Sequence, residues 1–146
     1  MALRVDKAVE LDFPVSKVWR ALTDYRDVGR WSGVRLEGPF VPGRVARGRM
    51  TVPGYENTLW KVAVQKMIPE RLFSYTWQDR KGEPSTLVEF TLEKTAKGTR
   101  LRVVETGFEA LPGKRGEEAA RDHEGGWGAQ LSNIAQYVRE SNLQTL

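Results

Sequence analysis

The chain has 146 residues, 40% of them apolar, and its 23 basic and 19 acidic side chains leave a net charge of +4. That length provides enough chain for one substantial core, and five Trp residues argue against wholesale disorder. With no Cys and one His, the sequence excludes disulfides, thiol nucleophiles, Cys-ligated metals, a multi-histidine metal site within one chain, and any Ser-His triad that does not use His123.

Residues 3–12 alternate apolar and polar, with Val5, Val9 and Leu11 on one face, which predicts a half-buried strand. Pro14 then opens a short helix, where a missing N–H costs nothing, and Val15, Val18, Trp19 and Leu22 form its apolar face. A second short turn or helix is predicted over 24–30 with Asp24 as N-cap. From Trp31 to Gly107 the period becomes two. Gly and Pro punctuation separates six predicted strands at 33–37, 44–52, 58–67, 71–78, 85–94 and 99–107. Phe73, Tyr75 and Trp77 share a face, as do Val88, Phe90 and Leu92, and Leu101 and Val103. One apolar and one polar face per strand marks an antiparallel sheet covered on a single side. After Leu111-Pro112-Gly113 the helical period returns over about 115–142, with Ala120, His123, Trp127, Leu131, Ile134 and Val138 in one stripe. Gly125, Gly126 and Gly128 weaken that helix unless packing needs the close approach they allow.

Only the long helix is available in this reading to cover the apolar sheet face. The expected architecture is therefore α+β: a curved antiparallel sheet of about seven strands around a long C-terminal helix, with two short helices after the first strand. One helix fills the concave side of such a sheet poorly, so a cavity between them is expected.

Four segments carry a resemblance to a known family. They are Phe13 to Asp24 followed by Trp31, Ile68 to Trp77, Gly98 to Phe108, and His123-Glu124-Gly125-Gly126-Trp127 with Leu131 and Ile134 after it. Together they resemble the START-like superfamily, also called helix-grip or SRPBCC. The similarity is strongest to the branch named for the activator of the ninety-kilodalton heat-shock protein's ATPase. The resemblance spans nearly the whole chain and implies one START-like domain over 1–146. It also implies a choice among lipid or hormone binding, polyketide cyclase or dehydratase chemistry, hydrolase chemistry and co-chaperone activity, because fold does not fix function.

The candidate site residues follow from faces. His123 lies on the apolar helix stripe one turn before Trp127, either as a polar contact to a ligand or as a satisfied histidine at the cavity rim; the second reading is preferred. Period two places Glu105 beside Leu101 and Val103, facing the helix. A carboxylate there is a ligand anchor, unless the strand frays before Gly107 and lets it reach solvent. If buried, it is hydrogen-bonded, or unpaired with a raised pKa, or paired with Arg49 or another Arg with a lowered one. Trp60, Phe73, Tyr75, Trp77, Phe90, Val103, Trp127 and Leu131 are the candidate pocket lining, and each is equally suited to plain core. Arg44, Arg47 and Arg49 suit an anion clamp or a solvated hairpin, the latter preferred. Asp24 and Asp27 read as capping and solvated residues, not metal ligands, and Gly125–Gly128 lacks the phosphate-loop pattern.

The leading expectation is a module that binds a small, largely hydrophobic molecule between sheet and helix. The alternatives are an enzyme using Glu105 with His123 or Tyr75 in the same cavity, and a protein-interaction module with an exposed apolar patch. No cofactor is implied. Nucleic-acid binding is not expected, because the Arg residues are scattered over different elements. No stretch approaches the roughly 20 apolar residues of a membrane span, and the N-terminus lacks a signal-peptide core, so a cytoplasmic protein is expected.

Overall fold

Strand alternation and one long helical stripe account for nearly all of the architecture. The computed structural model describes residues 3–144, with side chains described as far as Ser141; residues 1–2 and 145–146 of the predicted domain lie outside the described residues. The order is β1 (Arg4–Leu11), α1 (Val15–Thr23), α2 (Tyr25–Trp31), β2 (Val34–Leu36), β3 (Val45–Met50), β4 (Leu59–Ile68), β5 (Leu72–Trp77), β6 (Thr86–Lys94), β7 (Thr99–Thr106) and α3 (Arg115–Gln144). A short 3-10 turn, Phe108–Ala110, precedes α3. The predicted strands and helices are all present, in an α+β helix-grip arrangement. Asp24 caps α2 as expected, its Oδ1 accepting the Arg26 N–H at 3.0 Å.

The seven strands form one antiparallel sheet in the order β1-β7-β6-β5-β4-β3-β2. A β-bulge between Val64 and Lys66 bends β4 and interrupts its ladder with β5. Ser74 is buried there, and its hydroxyl accepts the Lys66 N–H at 3.2 Å. On the N-terminal side of Ala63, residues Leu59–Val62 have no β5 partner, although β3 still pairs along them. The sheet is therefore split at that end, a feature the two flush sequence patterns did not indicate.

The concave face and α3 enclose the core, with Val5, Phe73, Val88, Leu101, Val103, Trp127, Ile134 and Val138 all buried. The expectation that α3 alone covers the sheet is corrected. Val18, Ala21 and Leu22 of α1 and Val28 of α2 join the same core, because α3 leaves the β2 end of the sheet uncovered. Trp31 fastens this pair, its indole donating to Ala21 O at 2.8 Å.

Gly125, Gly126 and Gly128 of α3 do not serve close packing, unlike Gly116 at its start, where a Cβ would collide with Phe108 O. A Cβ added at Gly125 or Gly126 would meet no atom within 4 Å, and one at Gly128 would only touch Lys7 Nζ at 3.5 Å. The helix nonetheless runs through them unbroken. Gly125→Ala is therefore expected to stabilise the fold by about 1 kcal/mol, the usual helix-interior difference, measured as a higher urea midpoint at unchanged slope.

Candidate functional site

The site grows from one misfit in the β7 pattern. Glu105 occupies an inward position where its sheet neighbours, Val5 on β1 and Val88 on β6, are buried and offer no side-chain donor. Its residue exposure is 0%, so the carboxylate must be satisfied from elsewhere. Four donors converge on it. Trp77 Nε1 and Thr86 Oγ1 donate to Oε2 at 2.9 and 2.5 Å. Trp127 Nε1 donates to Oε1 at 2.8 Å, and His123 Nδ1 lies 2.8 Å from the same oxygen. Burial alone would push the carboxyl pKa up, but hydrogen bonds from His123, Thr86 and Trp77 and the charge of His123 outweigh it, and the pKa is lowered. Arg49 is not involved; its guanidinium donates to Asn57 O at 3.2 Å. The alternative of a frayed strand end is also excluded, since β7 stays paired to Thr106.

His123 links this carboxylate to the β5–β6 turn. Its Nε2 sits 2.5 Å from Asp79 Oδ1. With an N–H at each nitrogen the ring donates to both carboxylates at once; with one, it serves only one of them. Arg115, the first residue of α3, continues the chain by pairing with Asp79 and, at 3.0 Å, with Glu83. One nitrogen of its guanidinium, Nη1, is buried without a hydrogen-bond partner. The imidazole is clamped edge-to-face between Trp77 and Phe108, with ring centroids 5.7 and 5.4 Å away. Both ring nitrogens of His123 thus already face carboxylates, while the ring borders the adjacent cavity.

Beside this network lies a cavity of about 540 Å³ between the sheet and α3, within the size range of small-molecule sites. Of the predicted lining, Trp60, Phe73, Tyr75, Trp77, Phe90, His123 and Trp127 face it. Val103 and Leu131 do not line it and are buried in the core instead, and Glu105 stands outside the lining, against Trp77, Trp127 and His123. Sequence reasoning missed the wall from Leu22, Val28, Trp31, Val34, Phe40 and Met50. Those residues come from separate short elements that only the fold brings together. It also missed Thr86, although Thr86 shares the inward parity of Val88 and Phe90. Ser32, Gln130 and Asn133 add polar groups to the wall, with Gln130 Nε2 donating to Ser32 O at 2.8 Å. Burial, and then the charge of Glu105, push the Tyr75 phenol well above its ordinary pKa, so it presents a neutral hydroxyl. Stacked and edge-to-face contacts link Trp60, Tyr75, Trp77, Phe90 and Trp127 into one aromatic wall.

The sequence pattern over residues 12–139 matches the family model for activator of Hsp90 ATPase homolog 1-like proteins. The chain belongs to that family. Among solved structures, the DynU16 protein of the dynemicin biosynthetic locus is similar at 27% identity and TM-score 0.77, over 95% of this chain and 48% of that one. This chain therefore spans about half of the DynU16 chain. MLL2253 from Mesorhizobium loti matches at 24% identity and TM-score 0.77, over 94% of this chain and 97% of its own. SA2116 from Staphylococcus aureus shares only 11% identity but reaches TM-score 0.81, over 98% of this chain and 97% of its own. The last two likenesses concern the fold alone. No curated protein matches the sequence. No helix among the described residues is long and apolar enough to cross a membrane.

The lowered pKa of Glu105 gives a signed expectation for this family member. A carboxyl depressed on folding stabilises the protein fully above its unfolded pKa, and that stabilisation is lost as pH falls through the folded value. Glu105→Gln also turns one acceptor into a donor facing other donors. Urea melts at pH 7.5 should show the variant less stable by about 3 kcal/mol, a gap that narrows as the pH is lowered below the ordinary carboxylate range. Equal stability of the two proteins at pH 7.5 would contradict the assigned hydrogen bonds.

Proposed function

We propose that this protein binds a small, largely hydrophobic molecule in the cavity between its sheet and α3. The observation that carries the reading is the composition of the wall: aromatic and aliphatic side chains surround a space of about 540 Å³, with few polar groups to fix orientation. Membership of the family supports it, since the helix-grip fold commonly encloses a ligand. Trp60, Phe73, Tyr75, Trp77, Phe90 and Trp127 would supply the contact area, and the Tyr75 hydroxyl and Gln130 amide the polar contacts.

Binding is favoured over acid–base catalysis by the state of the polar groups. The pair that an enzyme needs is within 2.8 Å, yet both nitrogens of His123 face carboxylates and Glu105 already has four partners. Neither group has a free site to exchange a proton with a substrate. The network reads instead as the framework that holds Trp77 and Trp127 in the wall.

The test uses native protein and a neutral probe. N-phenyl-1-naphthylamine should bind saturably at one site per chain and quench the lining tryptophans. Mass spectrometry of protein purified under native conditions should show a co-purifying apolar molecule that competes with it. Gly126 lines the cavity, and a Cβ there meets nothing within 4 Å. Gly126→Leu should therefore fill part of the space and weaken probe binding at least about tenfold, while melting no lower than wild type because the helix gains propensity. Absence of both a saturable probe site and a co-purifying molecule would refute the proposal.

A further inference from the structure

The split in the sheet opens onto a second hollow of about 650 Å³, and it differs from the first in charge. It runs between the unpaired stretch Leu59–Val62 of β4 and the segment that follows β5. Met50, Trp60, Trp77 and His123 line both hollows, so these four side chains are the partition between them. Half of that partition is fastened: Trp77 and His123 are both bonded to Glu105. Trp60 and Met50 are not. No protein acceptor holds the Trp60 indole among the described residues, its contacts being edge-to-face with Tyr75 and Trp77 at 6.4 Å, and Met50 is an unbranched, adaptable side chain.

On the outer side of the partition the lining turns basic, with Arg47, Lys61 and Lys81 around the split. Arg47 and Lys61 stand directly opposite each other on β3 and β4, a like-charge pair that costs stability and has no ion-pair partner among the described residues. On β7, by contrast, Arg102 is matched by Asp6 and Arg100 by Glu10. The one carboxylate in the lining, Asp79, is already engaged by Arg115 and His123. An apolar chamber thus meets an unneutralised basic mouth across two movable side chains.

We infer that the split is an entrance capped by positive charge, and that the cavity's ligand is a small amphiphile. Its apolar body passes Trp60 and Met50 into the aromatic chamber, and its single anionic end stays outside, held by Arg47, Lys61 and Lys81. This rests on the cavity reading above and adds the ligand's chemical class. A carboxylate and a phosphate monoester share the chemistry the site recognises, and Arg47 can hold either through two N–H groups.

The experiment compares decanoate, decyl phosphate and decanol at pH 8 on the intact chain, below their aggregation concentrations, by tryptophan fluorescence and calorimetry. At least one anion should bind about tenfold or more tightly than decanol at low salt, and the stronger of the two anions identifies the head group. The advantage should shrink in high salt. Arg47→Gln combined with Lys61→Gln removes two exposed charges outside the core. It should reduce the advantage below about threefold with decanol binding unchanged. Equal binding of anions and alcohol by wild type would overturn the charged entrance and leave the cavity reading standing. Retention of the full anion preference by the double variant would also overturn it. Failure of all three compounds and of the neutral probe would overturn both.

Discussion

The conformation of this protein turns on a carboxylate that has no water to face. Glu105 sits in the middle of a β-ladder between two valines, and its charge is tolerated only because donors from β5, β6 and α3 meet on it. An apolar residue there would satisfy the core, but it would not position anything. The carboxylate fixes the rotamers of two tryptophans and one histidine at once. Those three rings form part of the cavity wall, so the shape of the hollow depends on a group that does not line it. Buried polar groups of this kind stabilise less than they specify, and a partial set of donors would be worse than none.

From that centre the network runs outward through alternating acidic and basic side chains. Glu105, His123, Asp79, Arg115 and Glu83 connect the sheet interior to the first turn of α3 and to the β5–β6 turn. The Asp79 and Glu83 side chains that serve it sit in a segment with no strand pairing, yet they dock on a helix more than thirty residues later. The wall tryptophans are therefore supported on one side by the ladder and on the other by this tether. Trp60 has the β3–β4 ladder behind its backbone but no such bond on its side chain, and this difference in restraint separates a fastened part of the wall from an unfastened one.

The fold was legible because its periods are clean. Residues 71–78 and 85–94 place aromatic and aliphatic side chains on alternate positions, and 115–142 carries a stripe with nothing but His123 to interrupt it. Glu105 was also legible as an inward residue, by parity with Leu101 and Val103. Its partner was not. The pattern leaves open an unpaired carboxyl, a hydrogen-bonded one and one paired with an arginine, whereas the structure meets the charge with one imidazole, two indoles and a hydroxyl. The pattern marks Trp77 and Trp127 as apolar lining, whereas their N–H groups matter as much as their rings, both donating to Glu105. Asp79 and Arg115 lay in a turn and at a helix start, where neither period constrains a side chain. The split between β4 and β5 escaped notice for a related reason: a strand pattern says which face a residue takes, not where its neighbour along the sheet stops.

The order of strands has a consequence for how the chain reaches this state. β1 is the first strand made and pairs with β7, the last, while every other neighbouring pair in the sheet is sequential. The meander from β2 to β7 can assemble by successive hairpins of low loop-closure cost. The first strand cannot. Val5 waits for Glu105 to be synthesised and placed, and during that time its apolar face has no ladder to join. Folding of the sheet is thus gated by one contact of high sequence separation, and contacts of that kind set slow rates. A nascent chain would carry β1 as an unpaired edge until α3 itself is emerging, so the same carboxylate that organises the finished cavity also marks the point at which the open sheet gains its last strand.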